Sequence, residues 1–165
     1  MTAYIIASNN SGRAIVDKDV THVLEKYKWH VKKDGYMYRN ASTEELKKGM
    51  PRSIAMHRQL MGFPKGKTVD HINHNKLDNR LCNLRVATYT NNQANRRKLK
   101  RTSSKYKGVR YHQRDGVWHA YITVEGRQKH LGTFKSEKGA AQAYNNAAKD
   151  LFGEYALLNI IEERV

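Results

Sequence analysis

The chain has 165 residues, and its 31 Lys and Arg outnumber its 15 Asp and Glu to give a formal net charge of +16. Hydrophobic residues make up 39% of the chain, too few for one large core, so two small modules fit this length better. Cys82 is the single cysteine, which excludes a disulfide framework or a cysteine-rich zinc cluster and suits a reducing compartment. No apolar run approaches the ~18 residues of a membrane span or a signal peptide's apolar region, so we expect a soluble, cytoplasmic protein.

The basic excess predicts a polyanionic partner, because each phosphate neutralised by Lys or Arg releases counterions. On charge alone, DNA and RNA are equally compatible with the sequence. A membrane surface is disfavoured, because the basic residues do not follow one long amphipathic helix.

Residues 1 to about 50 read as a small, β-rich lead-in. Strands are predicted over residues 4–7 and 13–17, separated by turn-forming residues, and a short helix over residues 19–27. A hairpin is predicted over residues 29–38, where Gly35 allows a tight turn. The aromatic residues of this hairpin could stack on nucleotides, but in so small a domain a core role is favoured.

The segment 53–61 has apolar residues at helical spacing and is followed by Gly62, so it predicts a buried helix. His57 lies in the middle of this segment. It could approach a metal ion or pack beneath the following strands, and the packing role is favoured.

The stretch 69–92 carries the residues with the clearest chemistry. It predicts a strand, an Asn- and Asp-rich loop, a second strand over residues 84–87, and a helix with Asn92 near its start. His71 can accept a proton from water near neutral pH, because an unperturbed histidine titrates near ~6.5. Asp70 and Asn92 offer a carboxylate and an amide oxygen, which suit Mg²⁺ or Mn²⁺. Asn83 can bond to backbone groups of the loop and so brace it.

This stretch resembles the HNH, or ββα-metal, nucleases, especially homing endonucleases of the phage and intron type. The resemblance runs through residues 57–58, 69–72, 78–79, 83–85 and 91–92. It implies His71 as the general base, Asn83 as the loop-bracing central residue, and Asp70 and Asn92 as ligands of a single Mg²⁺-type ion. The sequence lacks the paired cysteines of the zinc-containing branch, so no structural zinc is expected.

Two alternatives stay open for this stretch. His71 and His74 could form a zinc site with Asp70, although only Cys82 lies nearby as a fourth ligand. The stretch could also be the inactive relic of a nuclease.

Between residues 93 and 114 there are nine basic side chains and no acidic one, which predicts a linker lying along the phosphate backbone. A merely solvated linker would usually carry both signs of charge. The basic residues of this segment are Arg96, Arg97, Lys98, Lys100, Arg101, Lys105, Lys107, Arg110 and Arg114.

The last third predicts three antiparallel strands, over residues 108–112, 118–124 and 129–134, and an alanine-rich helix from 137 to 152 capped by Ser136. An exposed sheet face carrying Arg, His, Trp, Tyr and Lys side chains would suit the DNA major groove. The segments 106–110 (YKGVR), 131–134 (LGTF) and 140–144 (AAQAY) resemble the AP2/ERF DNA-binding domain. The resemblance implies DNA contacts from Arg110, His112, Arg114, Trp118 and His130. Without it, an aromatic such as Trp118 fits a core position equally well.

Together these patterns predict an α+β protein. Its parts are an HNH nuclease domain over residues 1–95, a basic linker over 96–104, and an AP2/ERF-like domain over 105–160. The expected function is metal-dependent, site-specific cleavage of double-stranded DNA by a monomer that nicks one strand and leaves 5′-phosphate and 3′-hydroxyl ends. No membrane or obligate protein partner is expected. A DNA-binding regulator with a vestigial nuclease half, or an RNA-binding protein, is the alternative.

Overall fold

A computed structural model describes residues 1–98 and 102–162 of the chain. The predicted α+β class is confirmed, because the chain forms two compact units, Met1–Thr88 and Tyr89–Val165. The first unit combines small antiparallel sheets with short helices, and the second combines one antiparallel sheet with helices. Two of the basic linker residues, Lys100 and Arg101, lie outside the described residues. Within the described ranges, no helix combines the length and apolar character needed to cross a membrane.

The first unit is built from three small antiparallel sheets and short helices. In the first sheet β1 pairs with β2, in the second the order is β3-β4-β5, and in the third β6 pairs with β7. The strands are β1 (Thr2–Ile6), β2 (Arg13–Asp17), β3 (His30–Val31), β4 (Met37–Asn40), β5 (Ser53–Ala55), β6 (Thr68–His71) and β7 (Leu84–Ala87). The α-helices are α1 (Thr21–Leu24), α2 (Thr43–Lys47) and α3 (Met56–Leu60).

The core of this unit gathers around Trp29, which is 1% exposed. Val16, Leu24 and Met56 belong to the same cluster, so the core role favoured for this aromatic is confirmed. The Trp29 indole nitrogen donates to the Leu24 carbonyl at 2.8 Å. The same carbonyl accepts a bond from the Tyr27 amide at 3.1 Å, three residues on, and α1 ends at Leu24 rather than at the predicted residue 27.

The predicted helix over residues 53–61 is wrong at its start. Ser53–Ala55 forms a strand, in which Ile54 pairs with Arg39 and Ala55 with Tyr38 of β4. The helix begins only at Met56. Sheet pairing and burial of Ile54 override the helical spacing that the sequence shows, because local propensity is weaker than tertiary packing.

The second unit follows the predicted pattern closely. Helix α4 (Tyr89–Ala94) precedes three antiparallel strands in the order β10-β9-β8, which are β8 (Val109–His112), β9 (Val117–Val124) and β10 (Arg127–Phe134). Helix α5 (Glu137–Phe152) begins where the Ser136 hydroxyl accepts a bond from the Gly139 amide at 3.1 Å.

Alanines on one face of α5 let the helix approach the sheet closely. Ala140, Ala141 and Ala148 are fully buried, and they pack with sheet residues such as Ala120. Ala94 of α4 joins Ile122, Tyr144 and other residues in the same core. Helix α4 is therefore held by side chains of the second unit.

Gly108 is the glycine on which this packing depends most. Its φ is +74°, and a Cβ there would meet the Tyr144 ring and lie 2.5 Å from the Tyr121 carbonyl oxygen. We expect Gly108→Ala to lower the free energy of unfolding by about 2–4 kcal/mol, because it adds a steric clash to the strain of a positive φ. Urea denaturation of the full chain measures this change.

Gly126→Ala is the matched control, because Gly126 has a φ of +78° but nothing within 4 Å of a new Cβ. It should cost only the backbone strain, about 1–2 kcal/mol. Equal destabilisation by the two substitutions would show that close packing at Gly108 does not matter.

Candidate functional site

Asp70 and His71 end strand β6, and the register of the hairpin decides what they face. Asp70 pairs with Arg85 and His71 with Leu84 of β7. Both side chains are buried, at 7% exposure for Asp70 and 4% for His71.

The Asp70 carboxylate forms an ion pair with Arg85. The Arg85 Nε and Nη2 atoms donate to Asp70 Oδ2 at 3.0 and 2.8 Å. Arg85 thereby neutralises a carboxylate that would be costly to bury alone. The sequence analysis missed this role, because Arg85 lies 15 residues away and only the hairpin register reveals the pair.

Asn83 ties together the loop that connects the two strands. Its Oδ1 accepts from the Asn73 amide at 3.0 Å, and its Nδ2 donates to the Asp78 carbonyl at 2.7 Å. The backbone of Asn83 also accepts a bond from the Ile72 amide at 2.9 Å. One buried side chain thus fixes both ends of the loop that follows His71.

Asp78 is the second anchor of the loop and is only 1% exposed. Arg80 donates to both of its carboxylate oxygens, at 2.8 and 2.6 Å, and Asn73 Nδ2 donates at 2.8 Å. The hydrogen bonds from Arg80 hold the pKa of Asp78 below its ordinary value, with a further contribution from Asn73.

The N-terminal strand β2 supports this loop from outside, which the sequence did not indicate. The Ile15 amide donates to the Leu77 carbonyl and the Asn79 amide to the Ile15 carbonyl, both at 2.7 Å. The Leu81 amide donates to an Asp17 carboxylate oxygen at 2.8 Å. Hydrogen bonds from β2 therefore hold the backbone of the polar loop in place.

Two aromatic rings pack against His71. The His57 ring lies edge-on with its centroid 5.1 Å away, and the Tyr36 ring lies 5.6 Å away. Tyr36 and His57 are themselves 4.9 Å apart, and the Lys76 ammonium sits over Tyr36. His57 thus packs beneath the strand, while Tyr36 was not recognised as a neighbour of His71.

Burial keeps both histidines uncharged near neutral pH. It is the main reason that the pKa of His57 falls to about 3, and the neighbouring His71 adds to the effect. Burial also lowers the pKa of His71, against the opposing influence of Asn79 and Asp70. A neutral imidazole is the form that can accept a proton from water.

The donors at this hairpin fit a hard divalent ion that keeps most of its water. Mg²⁺ typically uses one or two carboxylates and retains several waters, and Asp70 is a buried carboxylate here. Among residues 1–98 and 102–162, no three His, Cys, Asp or Glu side chains form a ready metal cluster. Asn92, the second expected ligand, lies on α4 of the second unit.

The C-terminal sheet presents a polar face opposite α5. Cross-strand pairing puts Arg110 beside His119 and His130 beside Tyr121 on this face. His112 also lies on it, two residues along β8 from Arg110. Three of the residues predicted to contact DNA therefore share one surface.

Trp118 lies on the other face of the sheet, which favours the core position over the DNA contact expected from the resemblance. It alternates with His119 along β9, pairs with Tyr111 and Phe134, and packs against the cluster that includes Ala120. The alternation of side chains in a strand puts Trp118 on the same side as Ala120, toward the helix.

The predicted phosphate contacts differ in their exposure. Arg96 and Arg97 are exposed, Lys98 is half-buried, and Arg114 is exposed in the turn between β8 and β9. Lys107 is largely buried and donates from Nζ to the Ala94 carbonyl. Burial, with the charge of Arg96, lowers the pKa of Lys107 to about 8. Lys107 thus ties α4 to the sheet within the second unit.

Comparison with known proteins relates this chain to viral endonucleases. The HNH endonuclease family matches residues 57–94. An uncharacterized HNH endonuclease, L560 of Acanthamoeba polyphaga mimivirus, is 37% identical over 149 residues, covering 90% of this chain and 75% of that protein. Protein 3.8 of Escherichia phage T7 is 31% identical over 94 residues, covering 57% of this chain and 77% of that protein.

A second similarity covers a smaller part of the chain. The AP2-like ethylene-responsive transcription factor TOE2 of Arabidopsis thaliana is 38% identical over 66 residues, which are 40% of this chain and 14% of that protein. No solved structure matches the chain.

Because Asp78 is buried and ion-paired, we expect the free energy of unfolding to fall in acid. Because folding lowers the pKa of Asp78, its ionised form stabilises the protein above the ordinary carboxyl value of ~3.9, and this stabilisation is lost as pH falls through the lowered value. We expect Asp78→Asn to cost about 1–3 kcal/mol near neutral pH and to flatten the decline of stability in acid. Urea denaturation at several pH values measures both effects.

Asp150→Asn is the control, because Asp150 is exposed on α5. It should leave the acid-induced loss of stability as in the wild type. If Asp78→Asn were equally neutral, Asp78 would not anchor the loop.

Proposed function

The chain belongs to the HNH endonuclease family, and on this premise we propose that it is a site-specific, homing-type endonuclease acting on double-stranded DNA. The observation that carries this proposal is a buried, neutral His71 next to the ion-paired Asp70, at the start of a loop braced by Asn83. Such a group can activate water without exposure to bulk solvent.

In the proposed reaction His71 takes a proton from a water molecule as the water oxygen bonds to phosphorus. The bond from phosphorus to the 3′-oxygen breaks, and that oxygen gains a proton from solvent, leaving 5′-phosphate and 3′-hydroxyl ends. A divalent ion such as Mg²⁺ or Mn²⁺, held by Asp70 and Asn92, would neutralise charge on the phosphate and on the leaving oxygen.

The remaining residues of the hairpin hold His71 in place for this step. Asn83 fixes the loop that begins after His71. The rings of Tyr36 and His57 limit rotation of the His71 imidazole. Arg85 holds the carboxylate of Asp70, the residue that precedes His71 in β6. Preorganisation of this kind lowers the reorganisation needed during reaction.

We assign DNA binding to the basic linker, residues 96–104, and to the C-terminal domain with its sheet, residues 105–160. Residues 1–95 form the nuclease domain in this assignment. The sheet face of Arg110, His112 and His130 would enter the major groove, and exposed basic side chains would contact phosphates. The proposed phosphate contacts are Arg96, Arg97, Lys98, Lys100, Arg101 and Arg114. One nuclease centre per chain supports nicking of a single strand by a monomer.

The second candidate is a DNA-binding regulator whose nuclease half is inactive. It is favoured by the similarity of the C-terminal part to an AP2-like transcription factor. This candidate requires binding of DNA without metal-dependent cleavage.

We expect His71→Ala to reduce Mg²⁺-dependent nicking of a target-bearing plasmid by at least about 100-fold, the usual minimum contribution of a general base. The gel assay follows conversion of supercoiled to open circular DNA. His22→Ala is the matched control, because His22 is exposed on α1, and it should cleave like the wild type.

Two outcomes would contradict the nuclease proposal. One is the absence of metal-dependent cleavage by the wild type on a target that it binds, which would favour the regulator. The other is equal cleavage by His71→Ala and wild type.

Substitutions on the two faces of the C-terminal sheet should change DNA affinity to different extents. Arg110→Gln should weaken binding of a target duplex by about 1–3 kcal/mol, the loss expected for one base contact in the major groove. Arg127→Gln removes the same charge from β10 but at a position paired with Val124 on the helix side. Salt-titrated fluorescence anisotropy should show a smaller change for Arg127→Gln, and identical changes would refute the assigned face.

A further inference from the structure

The polar face of the C-terminal sheet carries three neighbouring imidazoles, one from each strand. We call His112, His119 and His130 the histidine cluster. The ring centroids of His112 and His119 are 5.3 Å apart, and those of His119 and His130 are 5.1 Å apart. Nothing in the proposed nuclease reaction uses this cluster as a unit.

The central pair has the spacing of two ligands on one ion. His119 Nδ1 lies 3.0 Å from His130 Nε2. Two nitrogens bound at ~2.0–2.1 Å to one tetrahedral zinc ion would be about 3.3 Å apart. To form a two-nitrogen chelate, the two atoms separate by a few tenths of an ångström and the rings rotate so that both lone pairs point at one ion.

The surroundings of His119 leave Nδ1 as its ligating atom. Its Nε2 atom is buried and has no hydrogen-bond partner within the described part of the chain. Nδ1 instead faces His130, which is exposed. An ion reaching this face from solvent would thus meet Nδ1 of His119 and Nε2 of His130 together.

The contact of His112 with Asp115 favours the tautomer in which His112 can act as a third ligand. His112 Nδ1 lies 3.0 Å from Asp115 Oδ2. A carboxylate at this position favours the tautomer with the proton on Nδ1, which leaves the Nε2 lone pair for a metal. The His112 side chain is 48% exposed, so its ring has room to turn toward the pair.

We propose that the histidine cluster binds a divalent transition-metal ion of the zinc type, at a site separate from the ion assigned to Asp70. Imidazole nitrogens suit Zn²⁺, Ni²⁺ and Cu²⁺, whereas Mg²⁺ takes oxygen ligands. His119 and His130 supply the first two ligands, and His112 supplies the third when its ring turns. Water completes the shell, and the Asp115 carboxylate beside His112 adds a negative charge next to the ion.

Isothermal titration of the full chain with Zn²⁺ in excess Mg²⁺ and without DNA tests this site. Wild type should bind one Zn²⁺ that His130→Gln weakens by more than tenfold, and His119→Gln should do the same. Asp115→Asn should weaken binding by about 10–100-fold, as expected for the partner of a ligating histidine. His22→Gln, which leaves the cluster intact, should bind Zn²⁺ like the wild type.

His130 is exposed, so His130→Gln should fold normally, and circular dichroism checks this. Equal Zn²⁺ affinity of wild type and folded His130→Gln would overturn the proposal, as would an equal loss of affinity in His22→Gln. Because DNA and cleavage play no part in the titration, this result is independent of whether the nuclease proposal holds.

Discussion

The buried ion pair between Asp70 and Arg85 is the constraint on which the nuclease hairpin depends. A carboxylate at 7% exposure is strongly unfavourable unless a cation meets it, and removing one partner of such a pair typically costs about 3–5 kcal/mol. The pair forms only in one register of β6 against β7. A slip of β6 by one residue against β7 would place Asp70 and Arg85 on opposite faces of the hairpin and would change the face on which His71 lies. The ion pair therefore fixes the position of His71 as well as its own charge.

The polar loop between these strands obeys the same requirement that buried polar groups find partners. Asn83 and Asp78 satisfy backbone and side-chain donors within the loop, while Ile15 and Asp17 satisfy those that face β2. A module of this size has a small apolar core and gains little from burial alone. Its polar network supplies the rigidity that a larger core would provide elsewhere. This explains why the N-terminal strands accompany the hairpin.

The parts of the fold that follow a local period were predictable from sequence. The strands of the second unit and α5 follow the alternation of β9 and the alanine spacing of the helix, and both were found as expected. The alternation along β9 already places Trp118 on the side of Ala120, whereas Ile54 was misplaced because its surroundings depend on a strand distant in sequence. The contact of Arg85 with Asp70 and of Tyr36 with His71 was missed for the same reason. Sequence thus identified the chemical groups of the site, and cross-strand register determined their neighbours.

Helix α4 shows why the chain does not separate cleanly into a catalytic and a binding half. The HNH match extends to residue 94 and so includes α4, yet Ala94 packs with Ile122 and Tyr144 of the second unit. Lys107 adds a hydrogen bond from the sheet to the Ala94 carbonyl. A helix of six residues has little stability without tertiary contacts. The C-terminal core therefore stabilises the helix that carries Asn92, so loss of that core would remove the proposed second metal ligand together with the proposed DNA-binding surface.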